Sequence, residues 1–289
     1  LSNTPRILIF DSGVGGLSIA ESIQTQHPYC DIIYASDNAF FPYGTKDSEV
    51  LIERVDNVLH QLQSTTKADI IVVACNTAST VALPTIRERF TLPIVGVVPA
   101  IKPAAKISQS KVIGLLATPG TVARGYTQNL IKEFASDCSV ISIGSSELVA
   151  LAEEKLRCGS SFESSFSPQA MPSFQERLAA IVSPFNDSQK MDTIVLACTH
   201  FPLLRNELKQ ALGHIKHWVD SGEAIARRVG YWLDELKLSS CSSNPSDTNS
   251  LKHYSLFTEI SNEQQDSISQ LAPALFQRGL GDIRFIEIT

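Results

Sequence analysis

Two apolar runs that end in Ala-Cys constrain this chain more than any other feature. Ile71-Val72-Val73-Ala74-Cys75-Asn76-Thr77 is answered much later by Ile194-Val195-Leu196-Ala197-Cys198-Thr199-His200. Unbroken runs of Ile, Val, Leu and Ala mark strands buried on both faces of a parallel sheet. In such sheets ligands sit beyond the carboxyl ends of the strands. Both thiols are therefore expected at strand ends, beside whatever the protein binds. Two like acid–base groups suit a reaction that works on opposite faces of one molecule.

The surrounding pattern alternates strand and helix. Segments 6–10, 31–35, 69–74 and 93–97 read as strands, separated by helices at 14–26, 48–64 and 77–90. The order then restarts, with strands at 111–117, 139–143 and 192–197 and helices at 121–134, 174–182 and 203–212. This predicts an α/β protein of two similar domains, each a mostly parallel sheet flanked by helices. The two cysteines hold matching places in the halves, a sign of internal duplication. Pro99 to Pro103 reads as a hinge. The first domain is set at 1–98 plus 215–289 and the second at 99–214. Segment 157–173, rich in Ser, Pro and Gly, reads as a surface loop or flap, and 239–250 as a polar, disordered stretch. The tail from Leu251, with a helix near 261–277 and a strand near 283–288, is expected to complete the first domain.

At 289 residues the chain has room for two ordinary domains, and 43% hydrophobic with 19% charged residues describes a globular protein. A net charge of −6 advertises no nucleic-acid surface, so no direct nucleic-acid partner is expected. No run is long enough to span a membrane, and no secretory apolar region precedes the first domain, so a cytoplasmic setting is expected. The 6 cysteines show no CxxC, no zinc spacing and no small-domain disulfide framework. Cys30, Cys138, Cys158 and Cys241 lack the surroundings of the other two and read as incidental.

Several other segments carry candidate chemistry. Asp11-Ser12-Gly13-Val14-Gly15-Gly16 follows the first strand and opens a helix. A dinucleotide fingerprint starting at Gly13 would need a last glycine at Ser18, so the glycines are read as a tight turn. Asp11 is then a strand-end carboxylate able to orient an ammonium group, accept a proton or cap the helix. Phe41-Pro42-Tyr43-Gly44-Thr45 reads as a fixed turn whose backbone N–H groups suit a carboxylate, or as an ordinary turn. Thr118-Pro119-Gly120-Thr121 holds the matching place in the second half, offering hydroxyls to an anion or an N-cap. His200, two residues after the second thiol, is placed to position it or to favour its thiolate. The other histidines (27, 60, 214, 217 and 253) read as surface groups.

Taken together, these segments resemble the glutamate racemases of the cofactor-independent aspartate/glutamate racemase superfamily. The matching stretches are 10–17, 42–46, 74–79, 117–121 and 196–204. The resemblance implies an active site in the cleft between two α/β domains, with Cys75 and Cys198 as the acid–base thiols. Asp11, His200 and Glu153 (or its neighbour Glu154) are implied as assisting groups. Ser12, Pro42, Tyr43, Gly44, Asn76, Thr77, Thr118, Thr121, Thr199 and His200 match positions that contact the amino acid, as does Asp11. The resemblance further implies L- and D-glutamate as substrates, no cofactor and no metal. It brings a cell-wall-precursor activator and a homodimer within its range, and a role supplying D-glutamate for peptidoglycan. Two features depart from the family pattern: Phe40 stands where Arg is frequent, and both polar stretches are long. An aspartate or other small amino-acid racemase is the neighbouring alternative, and a thiol-switch binding protein the alternative from another class.

A two-base scheme asks one sulfur to remove the α-hydrogen as a proton while the other returns a proton from the opposite face. A thiol pKa near 8.5 keeps both protonation states within reach. The resemblance assigns D-glutamate to Cys75 and L-glutamate to Cys198. Asn76, Thr77 and Thr199 are expected to hold the α-carboxylate as charge spreads onto it.

Overall fold

The computed structural model describes residues 4–158, 172–238, 252–258 and 262–288. In chain order the first part runs β1 (Arg6–Asp11), α1 (Leu17–Gln26), β2 (Asp31–Ser36), α2 (Ser48–Thr66), β3 (Ile70–Val73), α3 (Asn76–Arg89) and β4 (Ile94–Gly96). Next come α4 (Ile101–Ile107), β5 (Val112–Ala117), α5 (Pro119–Ala123), α6 (Gly125–Phe134), β6 (Ser139–Gly144), α7 (Glu147–Cys158), α8 (Phe174–Val182), β7 (Thr193–Leu196), α9 (Arg205–Ala211) and β8 (His217–Val219). The chain closes with α10 (Gly222–Glu235), β9 (Tyr254–Thr258), α11 (Asn262–Ser269), α12 (Ala272–Phe276) and β10 (Ile283–Ile286).

Contacts divide the chain into one unit of Leu1–Val97 with Gly222–Thr289 and a second of Val98–Ser221. The first holds a six-stranded sheet in the order β10-β9-β2-β1-β3-β4, the second a four-stranded sheet in the order β6-β5-β7-β8. Every described pairing is parallel. The order β2-β1-β3-β4 is thus repeated strand for strand in the second unit, and β9 and β10 extend the first sheet at one edge. Both cysteine-bearing strands, β3 and β7, lie next to the first strand of their unit.

Side-chain alternation explains why these runs are apolar throughout. In the first unit Leu8, Phe10, Ile71 and Val73 pack with Leu51, Val55, Val58, Leu59 and Leu62 of α2 and with Ala78, Ala82 and Ile86 of α3. Ile7, Ile9, Ile70 and Val72, pointing the other way, are also fully buried, so both faces are covered. At about 1.5–3 kcal/mol for each large side chain buried, such strands hold their register firmly. In the second unit Ile101, Ala104 and Ala105 of α4 cover Ile113, Leu115, Ala117, Val195 and Ala197.

Asp192, just before β7, ties that sheet together. Its carboxylate accepts from Ser108 Oγ, the Gln109 and Ser110 N–H groups and Thr193 Oγ1, while its carbonyl accepts from the Lys216 and His217 N–H groups. Burial works against the charge, but these donors outweigh it and hold the carboxyl well below its ordinary range.

The structure corrects several expectations. The Pro99–Pro103 segment lies just past the division between the units at Val97/Val98, and α4 begins within it, at Ile101. Pro103 lies in its first turn, where a missing N–H costs no helical hydrogen bond. The helix expected over 121–134 is two helices, broken at Arg124, whose extended backbone ends α5 and starts α6. The 203–212 helix starts as a 3-10 turn, Phe201–Leu204, before α9. The chain returns to the first unit at Ser221/Gly222 rather than at 214/215, because β8 still pairs with β7. Of the proposed 157–173 loop, Arg157 and Cys158 belong to α7 and Ser173 caps α8 in a reciprocal box with Glu176. The remainder, 159–171, lies outside the described residues, as do 239–250 and Cys241. The tail helix is two short helices, α11 and α12.

Candidate active site

In the first unit the site grows from the ends of β1 and β3. Asp11 closes β1 with no exposed surface. Its Oδ1 accepts from Ser12 N at 2.7 Å and its Oδ2 from Gly16 N at 2.6 Å, which fixes the turn into α1. That turn is tight: a Cβ on Gly16 would meet Asp11 Cβ at 3.0 Å and Ala74 Cβ at 3.1 Å. Ser12 is thereby carried to Cys75, with Oγ 3.8 Å from Sγ. Cys75 is 6% exposed and forms the N-cap of α3, so its sulfur sits at the positive end of a 14-residue helix. Anions are stabilised there by the helix dipole and by first-turn N–H groups. Asn76 and Thr77, which form that turn, are buried alongside.

In the second unit Cys198 follows β7 at 6% exposure, but a 3-10 turn rather than an α-helix comes next. Its support comes from side chains. Cys198 Sγ lies 3.8 Å from His200 Nδ1, and His200 Nε2 donates to Glu153 Oε1 at 2.8 Å. Helix α7 presents Glu153 to the ring, whereas Glu154, one residue on, turns to Arg177 at 3.5 Å. Consecutive helical residues point about 100° apart, so only one of the pair can face His200. Burial opposes a charge on His200, yet the sulfur and carboxylate on its two nitrogens prevail and raise its pKa well above the usual histidine value.

That raised value sets a sign for pH dependence. A group that holds its proton more tightly when folded contributes all of its stability below about pH 6.5 and loses it as pH rises through the folded value. Unfolding in urea from about pH 6 to about pH 9 should show stability declining as His200 gives up its proton. Glu153→Gln should move that decline to lower pH. An unchanged slope in the variant would contradict the arrangement.

The remaining positions are less uniform. Thr118 caps α5, accepting from Thr121 N, and the two hydroxyls meet at 2.9 Å. Thr121 has no exposed surface, and its hydroxyl is turned to that of Thr118. Thr199 is buried beside Cys198. Tyr43 lies in the turn whose backbone N–H groups were read as suited to a carboxylate. Its ring is buried and its hydroxyl donates to Asp37 Oδ2 at 2.7 Å, leaving the main chain of Pro42-Tyr43-Gly44 to meet a ligand.

Asp37 and Arg54 were not picked out from sequence. Asp37 follows β2 as Asp11 closes β1, and Arg54 grips both its oxygens, Nε on Oδ2 at 2.9 Å and Nη2 on Oδ1 at 2.7 Å. The ring of Phe40, the departure from the family pattern, lies edge-on to Tyr43, with Lys46 Nζ 4.7 Å from its centroid. Two histidines read as surface groups instead bind the backbone: His27 Nε2 to Ala226 O and His253 Nδ1 to Ile32 N. Cys30 is buried beside Asp31, and burial pushes its thiol up to about 12. Among the described residues no group of three or more His, Cys, Asp or Glu side chains is placed to hold a metal ion.

A family model for the Asp/Glu/Hydantoin racemases matches residues 17–229, a span that takes in both thiols and most of the surrounding groups. The chain belongs to this racemase family. Within it, a glutamate racemase of Actinobacillus pleuropneumoniae serotype 7 is 46% identical over 240 residues, which cover 83% of this chain and 85% of that one. A glutamate racemase of Aliivibrio fischeri is 53% identical over 228 residues, 79% of this chain and 81% of its own. The crystal structure of Escherichia coli glutamate racemase, in complex with L-glutamate and the activator UDP-MurNAc-ala, superposes with a TM-score of 0.84. It is 39% identical and covers 99% of both chains.

Proposed function

We propose that this racemase interconverts L- and D-glutamate by a two-thiol mechanism. The observation that carries the proposal is the repetition of an Ala-Cys strand end at the same place in two sheets of the same strand order. Each sulfur has a different built-in support. The glutamate racemases above, 46% and 53% identical over about four-fifths of the chain, support the choice of substrate.

In the proposed reaction Cys198 as thiolate removes the α-hydrogen of L-glutamate as a proton, and Cys75 as thiol donates its proton to the opposite face of the carbanion. The D-isomer leaves behind a Cys198 thiol and a Cys75 thiolate, and the reverse direction exchanges the roles. The chemistry requires the two sulfurs to stand on opposite sides of one carbon. Negative charge on the intermediate spreads onto its carboxylate, where the first turn of α3 supplies fixed N–H dipoles, and Asn76, Thr77 and Thr199 supply donors. Asp11 holds the turn that delivers Ser12, and His200 with Glu153 orients the Cys198 sulfur.

We further place the enzyme in the cytoplasm, where its five described, free cysteines would stay reduced. Among the described residues no helix is long and apolar enough to cross a membrane. A role in peptidoglycan synthesis, with activation by a cell-wall precursor, is supported by the activator bound to the E. coli relative. The deciding experiment follows exchange of the α-hydrogen of D-glutamate and of D-aspartate in heavy water. Exchange with inversion of glutamate, and little of aspartate, is expected. Preference for aspartate would move the chain to the sibling activity, and exchange of neither would leave the thiol-switch reading.

A further inference from the structure

The two carboxylate oxygens of Glu153 meet different partners. Oε1 meets His200 Nε2 at 2.8 Å, and Oε2 accepts from Arg157 Nη2, also at 2.8 Å. The arrangement follows from α7, where residues four apart stack on one face. Glu153 is almost wholly buried and Arg157 partly so, with side-chain exposures of 5% and 29%. Among the described residues, Glu153 is the guanidinium's hydrogen-bond and ion-pair partner. The helix is itself pinned to the segment that carries His200: Lys155 Nζ, between the two, donates to Leu203 O at 2.8 Å and pairs with Glu207 at 2.6 Å.

We propose that Arg157 is a positioning residue for the Cys198 half of the reaction, locking the Glu153 carboxylate so that His200 is held in line with the Cys198 sulfur. This rests on the glutamate racemase reading. A carboxylate bound at one oxygen turns about its last bond, whereas one bound at both does not. Arg157 also shares the negative charge that would otherwise fall wholly on the imidazole. Among the described residues, the titratable groups in contact with His200 include Cys198 on its own segment and Glu153 from α7. Arg157 lies one hydrogen bond further out, with the Lys155–Glu207 pair beside it. Loss of Arg157 therefore removes its hold on Oε2 and makes His200 hold its proton more tightly, so that it assists the sulfur less well.

The test compares Arg157→Met with Arg157→Lys in the full chain. One arm follows His200 titration by NMR of its ring protons. The Met variant should shift that titration upward by about one pH unit, and the Lys variant should restore most of it. The other arm is kinetic: in the Met variant kcat should fall about tenfold while KM for glutamate changes less than about threefold. The slowed step belongs to Cys198, so the α-deuterium isotope effect should rise with L-glutamate and fall with D-glutamate. A wild-type titration, isotope effects changed equally for both isomers, or a Lys variant no better than Met would each overturn the assignment. If the wild-type chain does not racemise glutamate, the substrate reading fails, and the NMR arm still decides whether Arg157 governs Glu153 and His200.

Discussion

Cys75→Ala and Cys198→Ala should each slow racemisation by about 10⁴-fold, the upper end for removal of a positioned acid–base group. Neither change should disturb the fold, since each removes one atom at a strand end and leaves its apolar run intact. The two variants should fail differently. With Cys75 gone, Cys198 can still take the α-hydrogen of L-glutamate and return a solvent proton to the same face. Exchange of L-glutamate into heavy water should then persist without inversion, and Cys198→Ala should show the same with D-glutamate. Proton NMR of the α-position together with a chiral assay reads both quantities. If either variant inverted both isomers at near wild-type rates, the two-thiol scheme would be lost.

A second large effect concerns stability. Asp37 has no exposed surface and is held by the Arg54 fork and the Tyr43 hydroxyl. Asp37→Ala leaves a guanidinium and a phenol in the interior without their acceptor. Breaking a buried ion pair from one side costs about 3–5 kcal/mol. Arg54 keeps some contact with water, so about 3 kcal/mol is expected here from chemical denaturation. The Tyr43 anchor goes with it, so KM for glutamate should rise more than kcat falls as the Pro42-Tyr43-Gly44 turn loosens. Asp37→Asn, which keeps an acceptor for Tyr43, should cost roughly half as much. A change below about 0.5 kcal/mol in the Ala variant, the level of an ordinary surface substitution, would show the cluster to be idle.

Elements buried on both faces were legible in the sequence, because burial leaves a run with no polar interruption. The strands leading to Cys75 and Cys198 are of this kind, whereas the α2 positions Leu51, Val55, Val58, Leu59 and Leu62 were legible from their helical spacing along one buried face. What failed to show has physical reasons. Strand β8 spans three half-buried residues at a sheet edge, too few to establish a period. Helix α4 was hidden by Pro103, which reads as a breaker unless its place in the first turn is known. Side chains that work in pairs across sequence distance, such as Asp37 with Arg54, carry no local signature. Glu153 and Glu154 are alike as letters and differ only in the helix face each occupies. Arg157 had an available signal, four residues after Glu153, the spacing that shares one face of a helix, but a pair at that spacing is usually an ordinary solvated contact.

The unequal support of the two sulfurs has a consequence for how such a protein can change. Cys75 leans on main-chain dipoles that every residue of α3 contributes, and no single substitution removes them. Cys198 depends on an imidazole and a carboxylate, either of which one altered codon can erase. Retuning by drift, by selection or in the laboratory therefore has its easiest handle in the second unit, because in the first the share contributed by α3 yields only to rebuilding that helix.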